Sequence, residues 1–563
     1  MSNKVVIIGG VATGPKTAAR LRRLDSEAEI TVIERQDLLS YAGCGMPYYI
    51  ENIIEEWNEL LGGASIRDAA YFKANRGFTV LDQTEVKKIN RDAKTVTIED
   101  LRTGEVEDMP YDKLVLGTGA SPFVPRMEGT ELKGVHRLYN PHHAKAIKTE
   151  VDMGAKNVVI VGGGLIGIES CGAFVTRGCN VSVVEMMPTI VPNLLDPEMG
   201  YLLENYLTGR GVNLVKGSPV AKMIDDGTGK IKAVETADGR VIDADLVVVA
   251  IGVRPNTQLA VDAGIELGPT RAIAVNENMQ TSDPDIYAGG DCVESTHLVT
   301  GEKVYAPLGS TANKHGRIIA DNIAGRDTTF QGINGTAVFK VLDWNCGTTG
   351  ISEKKAKELG YDVVTTLAPR GDFSGYIPGN KRTIIKLIAD KENCKVLGCQ
   401  VVGEGDGIKR IDVVATAMKF ESNLKSIADL DLGYAPAYST AIDAIQHAAN
   451  VLRNKIQGYV HGINPIELKE RLEGEHDFVL LDCRRDAEYD AVCFPDQRCL
   501  HIPVVDIKER VAEIPKGKEI IIFCATSIRA YNAERTLRGL GYTDVKILDG
   551  SLAAWPFPDF LTA

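Results

Sequence analysis

The chain has 563 residues, of which 44% are hydrophobic and 25% are charged, and its formal net charge is −13. One hydrophobic core does not organise a chain of this length, so we expect three or four domains. The negative charge disfavours non-specific binding to nucleic acid or to an anionic membrane. No apolar run is long enough to cross a bilayer, so no membrane association is expected.

The eleven cysteines are scattered along the chain. Their spacings match neither a disulfide framework nor a zinc pattern, so we expect no bound metal. The residues after Lys4 already have the pattern of a strand rather than that of a signal peptide. These features predict a cytoplasmic protein in which most cysteines are small packed hydrophobic residues.

Two similar β-α-β units come first in chain order. The first has a strand at 4–8, the turn Gly9-Gly10-Val11-Ala12-Thr13-Gly14, a helix to about Arg23, and a strand at 30–33 followed by Glu34. The second has a strand at 157–161, the turn Gly162-Gly163-Gly164-Leu165-Ile166-Gly167, a helix to about Arg177, and a strand at 180–184 followed by Glu185. Such glycines let the backbone approach a pyrophosphate at a helix N-terminus, and the acid suits ribose hydroxyls. The sequence therefore predicts two dinucleotide sites.

Cys44 follows the first unit in the segment Ser40-Tyr41-Ala42-Gly43-Cys44-Gly45-Met46-Pro47-Tyr48, and the next cysteine is Cys171. A redox enzyme with an internal dithiol needs two neighbouring cysteines, and this segment supplies one. A lone redox thiol must form a mixed disulfide, persulfide or sulfenic acid with an external group. Pro47 predicts a helix start, and a helix N-terminus would favour the reactive thiolate.

The remaining segments complete the chain. Buried strands that run into tight turns are predicted at 111–122 and 247–256, and Gly289-Gly290-Asp291 follows. Residues 325–450 predict strands and then a helix near 408–421, without a nucleotide motif, and a polar linker follows at 453–462. The last hundred residues alternate short apolar strands with helices, which predicts a small α/β domain with a parallel sheet.

Cys524 follows one of the strands of this last region. It opens a loop of six residues, Cys524-Ala525-Thr526-Ser527-Ile528-Arg529, that Arg529 closes. Backbone N–H groups and an arginine form a cradle suited to a thiolate or a persulfide. Two isolated thiols in loops indicate sulfur passing from one to the other.

Together these motifs resemble, over about residues 1–450, the flavoprotein disulfide reductases with two dinucleotide sites. The pattern Ser40-x-x-x-Cys44-Gly45-x-Pro47-Tyr48 is similar to the single-cysteine branch, which contains coenzyme A disulfide reductases, NADH oxidases and peroxidases. The last hundred residues resemble a rhodanese domain with Cys524 and Arg529 in its active loop. The whole order resembles coenzyme A disulfide reductase–rhodanese fusions, including NADH-dependent persulfide and polysulfide reductases.

The resemblance implies an α/β chain with two Rossmann-like domains, an α+β dimerisation domain and a rhodanese-like α/β domain. We expect an FAD domain at 1–113 and 251–325, an NADH domain at 114–250, a dimerisation domain at 326–450, a linker at 451–462 and a rhodanese-like domain at 463–563. The expected state is a homodimer.

The resemblance also implies site residues. FAD is expected at Gly9, Gly14, Glu34, Thr118 and Asp291, and NADH at Gly162, Gly164, Gly167 and Glu185. Glu185 favours NADH over NADPH because a carboxylate repels the 2′-phosphate. Coenzyme A is expected as ligand or substrate at Arg20, Arg22, Arg23, Ser40 and Lys73. Tyr376 and either Tyr434 or Tyr438 are expected to reach Cys44 from the other subunit as proton donors.

The predicted activity is NADH-dependent reduction of sulfane sulfur, in coenzyme A persulfide or polysulfide, with release of sulfide. Cys44 is the predicted redox thiol, and Cys524 carries sulfur to it. The alternatives are coenzyme A disulfide reduction, oxygen or peroxide reduction through a Cys44 sulfenic acid, and sulfur sensing by a flavoprotein. In the sensor, Cys524 would serve for docking or storage.

Overall fold

The computed structural model describes residues 3–562. They divide into two compact units, one with the residues up to Met186 and Ser218–Ile333, the other with Met187–Gly217 and the residues from Asn334 onward. Among the helices of residues 3–562, none combines the length and the apolar character needed to span a membrane.

The first unit is built on two β-α-β units. Its elements up to Met186 are β1 (Lys4–Ile8), α1 (Thr13–Leu24), β2 (Glu29–Ile33), α2 (Met46–Glu51), α3 (Ala69–Arg76), β3 (Thr79–Leu81), β4 (Thr84–Asn90), β5 (Thr95–Asp100), β6 (Val106–Pro110), β7 (Lys113–Leu116), β8 (Ala120–Pro122), β9 (Val135–Arg137), α4 (Pro141–Asp152), β10 (Asn157–Val161), α5 (Leu165–Thr176) and β11 (Asn180–Glu185). The second unit then contributes α6 (Pro197–Gly209) and β12 (Asn213–Lys216). The first unit resumes with β13 (Val220–Asp225), β14 (Ile231–Thr236), β15 (Val241–Asp243), β16 (Leu246–Val249), β17 (Val253–Pro255), α7 (Gln258–Asp262), β18 (Ile286–Ala288), β19 (Ser295–Thr296), β20 (Lys303–Val304) and α8 (Gly309–Ile323).

Two parallel sheets organise the first unit. One has the order β18-β7-β1-β2-β3, and the other contains β11, β10, β16 and β9 in that order. The central strands β1, β7, β10 and β16 are rich in Val, Ile and Leu and almost entirely buried, as parallel strands covered on both faces should be. The carboxyl ends of β1 and β10 are therefore where the two glycine-rich turns lie.

The second unit continues with two different sheets. Its remaining elements are β21 (Ala337–Val341), β22 (Trp344–Gly350), α9 (Glu353–Glu358), β23 (Val363–Gly371), β24 (Arg382–Asp390), β25 (Val396–Glu404), α10 (Arg410–Lys419), α11 (Leu424–Ala428), α12 (Ala444–Ile456), β26 (Gly462–Ile463), α13 (Pro465–Glu473), β27 (Phe478–Asp482), α14 (Asp486–Ala491), β28 (Cys499–His501), β29 (Glu519–Phe523), α15 (Ile528–Gly539) and β30 (Val545–Leu548). The sheet β21-β22-β25-β24-β23 is antiparallel, and the sheet β26-β30-β29-β27-β28 is parallel.

A buried lysine lies on the antiparallel sheet. Lys386 of β24 is fully buried, and its Nζ lies 2.5 Å from Glu198, 2.7 Å from Glu353 and 3.0 Å from Asp196. Burial alone would lower its pKa, but the three carboxylates raise it instead. Removing one partner of such a network leaves an uncompensated buried charge, which is strongly destabilising. The network thus joins α6, α9 and β24 within this unit.

The predicted fold class is confirmed: two Rossmann-like β-α-β units, an α+β segment and a small parallel α/β domain follow in the expected order. The predicted domain boundaries stay a prediction. The helix α12 runs to Ile456, so the first residues of the predicted linker are helical.

Candidate active sites

The first glycine-rich turn joins β1 to α1 and leaves no room for side chains. Gly9 has a φ of 110°, and a Cβ there would lie 2.1 Å from the carbonyl oxygen of Gly117. A Cβ on Gly14 would lie 1.9 Å from the oxygen of Gly9. The backbone N–H of Gly10 donates to Glu34 Oε2 at 2.7 Å. This construction keeps the N-terminus of α1 open to an anionic group.

The second turn, between β10 and α5, repeats the same geometry. Gly162 has a φ of 108°, and its Cβ would lie 2.5 Å from the oxygen of Ala250. A Cβ on Gly167 would lie 2.0 Å from the oxygen of Gly162. The N–H of Gly163 donates to Glu185 Oε2 at 2.7 Å. Two turns with one geometry indicate two sites for the same kind of ligand.

The acids that end the two units are both buried, Glu34 at 6% and Glu185 at 8% exposure. Each accepts the hydrogen bond of its turn, and Glu34 Oε1 also accepts from the N–H of Gln36 at 2.9 Å. Each acid therefore holds the turn in addition to its predicted contact with a ribose. Gly164 begins α5, and a Cβ there would meet nothing within 4 Å, so its missing side chain leaves space at the helix N-terminus.

Thr118 and Asp291 lie beside the first turn. The hydroxyl of Thr118 donates to the Asn256 carbonyl oxygen at 2.7 Å, so it holds β17 near this turn. A Cβ on Gly290 would lie 2.4 Å from Thr13 Oγ1, which shows how closely the loop before Asp291 approaches α1. Among residues 3–562, no side chain or backbone N–H donates to the Asp291 carboxylate, and burial raises its pKa. This acid is available to a ligand hydroxyl.

Cys44 lies in a single 3-10 turn, Gly43–Gly45, just before α2. The segment just before Cys44 lies against the first glycine turn, because the Ser40 N–H donates to the Gly10 oxygen at 2.9 Å. The thiol belongs to an exposed residue. Its pKa is raised, first by loss of water around the sulfur and then by the negative charges of Glu169 and Asp291. The expectation that the helix start lowers this pKa is therefore wrong for the protein chain by itself.

Glu169 lies near Cys44 because α5 packs on α2. Arg177 donates to the Ile50 oxygen at 3.0 Å, and Thr176 donates to Glu51 at 3.0 Å. Burial raises the pKa of Glu169 to about 7. This carboxyl can thus hold or release a proton near neutral pH, beside the Cys44 thiol. A helix that begins at the second dinucleotide turn brings it there.

The predicted coenzyme A cations differ in what they contact. Arg20 forms an ion pair with Asp321 at 2.8 Å. Arg22 donates to the carbonyl oxygens of Gly77, Ser26 and Ala28 at 2.8, 2.5 and 2.6 Å. Both side chains therefore already join parts of the first unit.

Arg23 and Lys73 are exposed and are the better candidates for a polyanion. Ser40 has a φ of 47°, and its carbonyl oxygen accepts from Arg67 at 3.2 Å. Arg67 is a further cation in this neighbourhood that the motifs did not single out.

The predicted tyrosines of the second unit are exposed, Tyr376 at 74%, Tyr434 at 54% and Tyr438 at 78%. The Ser374 N–H donates to the Pro436 oxygen at 3.0 Å and joins their two loops. Loss of water and then the neighbouring Tyr376 raise the pKa of Tyr434. The choice between Tyr434 and Tyr438 stays a prediction.

The Cys524 loop begins where β29 ends and leads into α15. Cys524 is 1% exposed, yet its pKa is lowered to about 5. The main cause is a hydrogen bond from Cys483; burial acts in the opposite direction, and the N–H groups of Ala530 and Thr526 and the hydroxyl of Ser551 add to the lowering. The predicted cradle of N–H groups is present, and it favours a thiolate at neutral pH.

Arg529 closes this loop as predicted, but its guanidinium makes a bidentate ion pair with Glu488 of α14, at 2.6 and 2.7 Å. Such pairs have a fixed geometry. Arg529 therefore anchors the loop to α14, and the hydrogen bonds to the sulfur come from other groups.

Comparison with known proteins agrees with this geometry. The chain matches the pyridine nucleotide-disulphide oxidoreductase family over residues 3–316. It belongs to this family. Residues 336–445 match the dimerisation domain of the family, and residues 464–556 match a rhodanese-like domain. As a member, the chain is an FAD-dependent oxidoreductase that uses NAD(P)H.

Three relatives are similar over long stretches. A solved NAD-dependent persulfide reductase from A. fulgidus is 42% identical with a TM-score of 0.93, over 98% of this chain and 100% of that one. Reduced CoADR-RHD of Bacillus anthracis is 35% identical with a TM-score of 0.93, over the whole of both chains. A NAD(P)H coenzyme A polysulfide/persulfide reductase of Pyrococcus horikoshii is 36% identical, over 80% of this chain and 99% of its own length.

The residues of this oxidoreductase fit the two cofactors of its family. The glycine turns have no side chains where a pyrophosphate would lie. Among residues 3–562, no group donates a hydrogen bond to the Asp291 carboxylate. Both features suit a bound dinucleotide.

Besides Arg67, sequence reasoning missed four residues of these sites. Glu169 could have been found as the one acid in an otherwise apolar helix, two residues after Gly167. Cys483 could have been found from strand alternation, because it follows the strand next to that of Cys524. Ser551 and Glu488 carried no local signal, since their roles depend on tertiary contacts.

Proposed function

We propose that the protein is a cytoplasmic homodimeric enzyme that uses NADH to reduce sulfane sulfur in coenzyme A persulfide or polysulfide and releases sulfide. The observation that carries this proposal is the pair of contrasting cysteines. Cys44 is an exposed thiol beside the dinucleotide turns, and Cys524 is an acidic thiol in a rhodanese-like loop. A plain disulfide contains no sulfur atom for a rhodanese to carry. The long match to persulfide reductases supports the same assignment.

The cofactors would be held at the two turns. Gly9, Gly14, Glu34, Thr118 and Asp291 would hold FAD, and Gly162, Gly164, Gly167 and Glu185 would hold NADH. The Glu185 carboxylate favours NADH because it repels a 2′-phosphate. When bound, the two cofactors supply an electron pair to the sulfur chemistry.

Cys44 would act as the nucleophile toward a bound persulfide. Its thiolate attacks the outer or the inner sulfur of the substrate, and the thiolate that leaves requires a proton. Glu169, with a pKa of about 7, can supply or remove that proton beside Cys44. Ser40, Arg23 and Lys73 would hold the substrate, with Arg20 and Arg22 fixing the helix that carries this face.

The tyrosine pair would complete the site from the partner subunit of the homodimer. Tyr376 and Tyr434 lie close enough for Tyr376 to affect the pKa of Tyr434, so one phenol would donate to a departing thiolate while the other supports it. The dimerisation-domain match supports this arrangement. The domain boundaries predicted above belong to the same proposal.

Cys524 would supply sulfur atoms to the Cys44 site. Its low pKa keeps it a thiolate that can take a sulfur atom from polysulfide. The resulting persulfide carries that sulfur to Cys44. Coenzyme A disulfide reduction is the second candidate, favoured by the similarity to CoADR-RHD over the whole chain.

The test is anaerobic NADH oxidation with coenzyme A persulfide, polysulfide and coenzyme A disulfide in parallel. The proteins are the intact enzyme, Cys44→Ser, Cys524→Ser and the control Cys179→Ser, whose half-buried thiol lies 3.7 Å from the Ala155 oxygen. Sulfide release and NADH consumption are recorded together.

We expect faster turnover with persulfide or polysulfide, dependent on Cys44 and accompanied by sulfide. Slower turnover of Cys524→Ser with polysulfide alone would identify the rhodanese-like domain as the feeder. If coenzyme A disulfide were the best acceptor and sulfide never appeared, the second candidate would replace the first. NADH use that requires oxygen would indicate an oxidase, and slow turnover with every acceptor would indicate a sensor.

A further inference from the structure

The strand register places a second cysteine beside Cys524. Strands β27 and β29 are parallel neighbours, with Asp482 opposite Phe523. Cys483 follows Asp482 and Cys524 follows Phe523, so the two cysteines come next in the same register. The Cys483 N–H donates to the Phe523 oxygen at 3.1 Å, which continues the ladder to this point. Backbones of neighbouring strands lie about 4.8 Å apart, within the Cα separation of about 4.4–6.8 Å that a disulfide bridges.

Both side chains point to the same face of the sheet. Alternate residues of a strand face the same side. Val479, Leu481 and Cys483 share one core cluster with Ile520, Ile522 and Cys524, while Phe478, Leu480, Ile521 and Phe523 belong to the cluster on the other face. Cys483 is 0% and Cys524 is 1% exposed. The two sulfurs are thus buried together on one side of β27 and β29.

The two thiols also influence each other's ionisation. The side chain of Cys483 is the largest influence that lowers the pKa of Cys524, and the same pairing raises the pKa of Cys483. Cys483 Sγ lies 3.1 Å from the Phe523 oxygen. Ser551 Oγ lies 3.9 Å from Cys524 Sγ on another side. Each of the other groups around Cys524 can donate a hydrogen bond, but among those contacts only Cys483 presents a sulfur that can form a bond with it.

We propose that Cys483 is a resolving thiol for the persulfide of Cys524, and that the two form a dithiol–disulfide couple inside the rhodanese-like domain. This inference rests on the proposed role of Cys524 as a sulfur carrier. A bond forms between Cys483 Sγ and Cys524 Sγ, and the bond between Cys524 Sγ and the outer sulfur breaks. The outer sulfur leaves with the electron pair of that bond and the proton of Cys483, as hydrosulfide. The outer sulfur is reduced, and the two cysteines are oxidised to a disulfide.

The disulfide returns to two thiols by exchange with two molecules of a small-molecule thiol, which become a disulfide in turn. While the bridge exists, Cys524 accepts no further sulfur. When a persulfide on Cys524 is not passed on to Cys44, the couple would therefore release its outer sulfur as sulfide and halt sulfur transfer by Cys524.

The experiment uses the reduced, desalted full-length holoenzyme under anaerobic conditions without NADH. The proteins are the intact enzyme, Cys483→Ser, Cys524→Ser and the control Cys493→Ser, a half-buried cysteine of the same domain. Serine at position 483 keeps a hydrogen-bond donor and cannot form a disulfide. Thiosulfate is the first donor, because it leaves as sulfite, so that any sulfide derives from the transferred sulfur; polysulfide is the second.

In the intact enzyme and in Cys493→Ser we expect one equivalent of sulfide per chain from thiosulfate and a disulfide-linked pair of peptides that contain Cys483 and Cys524. In Cys483→Ser we expect neither, but a persulfide, one sulfur atom heavier, that persists on Cys524. Flavin absorbance and circular dichroism check that each variant is folded.

A persulfide that lasts as long in the intact enzyme as in Cys483→Ser, without the linked peptides, would overturn the resolving role and leave the carrier role standing. If no protein gained sulfur from either donor, the carrier role would fail and this step with it. A peroxide arm then tests the couple alone: attack of Cys483 on a Cys524 sulfenic acid releases water and gives the same linked peptides. If peroxide treatment gave no linked peptides, the proposed dithiol–disulfide couple would be overturned as well.

Discussion

The two cysteines proposed to act in this enzyme have opposite surroundings. Cys44 belongs to an exposed residue, but its pKa is raised, first by loss of water around the sulfur and then by the negative charges of Glu169 and Asp291. Cys524 is buried among hydrogen-bond donors, which lower its pKa to about 5. Burial by itself disfavours a thiolate in both places. The hydrogen-bond donors around Cys524 outweigh this effect, whereas at Cys44 the two carboxylates add to it, and this difference decides which thiol is ionised without a ligand.

The two thiols therefore differ in what they need for ionisation. In the protein chain without ligands, Cys524 favours the thiolate form at neutral pH. Cys44 has no comparable set of donors, and the carboxylates beside it oppose ionisation. We therefore expect Cys44 reactivity to depend on bound ligands and on the protonation of Glu169.

Removing the Cys44 sulfur should have the largest effect. Cys44→Ser should lower NADH-dependent sulfide production by about 10³-fold or more, because no other group replaces the nucleophile. Initial rates of anaerobic NADH oxidation with coenzyme A persulfide measure it. Cys179→Ser should keep the rate of the intact enzyme, and a Cys44→Ser enzyme with substantial turnover would show that another group performs the chemistry.

Removing the main donor should make Cys524 resemble an ordinary thiol. Cys483→Ala deletes the hydrogen bond that contributes most to the low pKa of Cys524, so its pKa should rise from about 5 toward the usual range near 8.5. The thiolate fraction at pH 6 should then fall by about tenfold or more.

The pH dependence of Cys524 alkylation, read by peptide mapping, checks this shift. The matched variant Cys483→Ser keeps a donor and should retain most of the low pKa. Equal profiles for the alanine and serine variants would mean that the backbone N–H groups, and not Cys483, set the pKa.

Removing the negative charge of Glu169 should lower the pKa of Cys44 and so make this thiol more acidic, as Cys524 is. Glu169→Gln deletes a carboxylate that raises the Cys44 pKa, so the pKa of Cys44 should fall. The alkylation profile of Cys44 should move to lower pH. If Glu169 also transfers protons, the pH profile of turnover should lose the limb near pH 7.

Glu56→Gln, which replaces an exposed acid of the same unit, is the control for net charge. A Cys44 profile that shifts equally in both variants would contradict a local effect of Glu169.

Removing an exposed cation should have the smallest effect. Arg23→Ala and Lys73→Ala should each raise KM for coenzyme A persulfide about two- to tenfold with kcat nearly unchanged, because they would bind a polyanion in solvent. The effect should shrink at high salt and be absent for polysulfide. Arg126→Ala, another substitution in the same unit, provides the control. Unchanged KM in both variants would place coenzyme A elsewhere.

Much of the architecture was predictable from local pattern. The strands β1, β10, β27, β29 and β30 lie within a residue or two of the predicted ones, because Val- and Ile-rich runs bounded by glycines have few alternatives in a parallel sheet. The glycine turns were predictable for a similar reason, since the positive φ at Gly9 and Gly162 excludes side chains.

The sites were predictable only in part. Cys44 and Cys524 could be identified because their neighbours in the chain are unusual. The ionisation of both thiols could not, since it depends on Glu169, Asp291, Cys483 and Ser551, which lie far away in the chain. Arg529 is similar: its position at the loop end was predictable, and its ion pair with Glu488 was not.

By itself the sequence determined the order of the domains, the two dinucleotide turns and the two separate thiols, because these follow from short-range patterns. The tertiary structure decided which thiol is acidic, which acid lies beside Cys44 and which cysteine lies beside Cys524. The physical reason is that electrostatic and hydrogen-bond energies depend on distance through space, and parallel strands and packed helices bring distant segments within that distance.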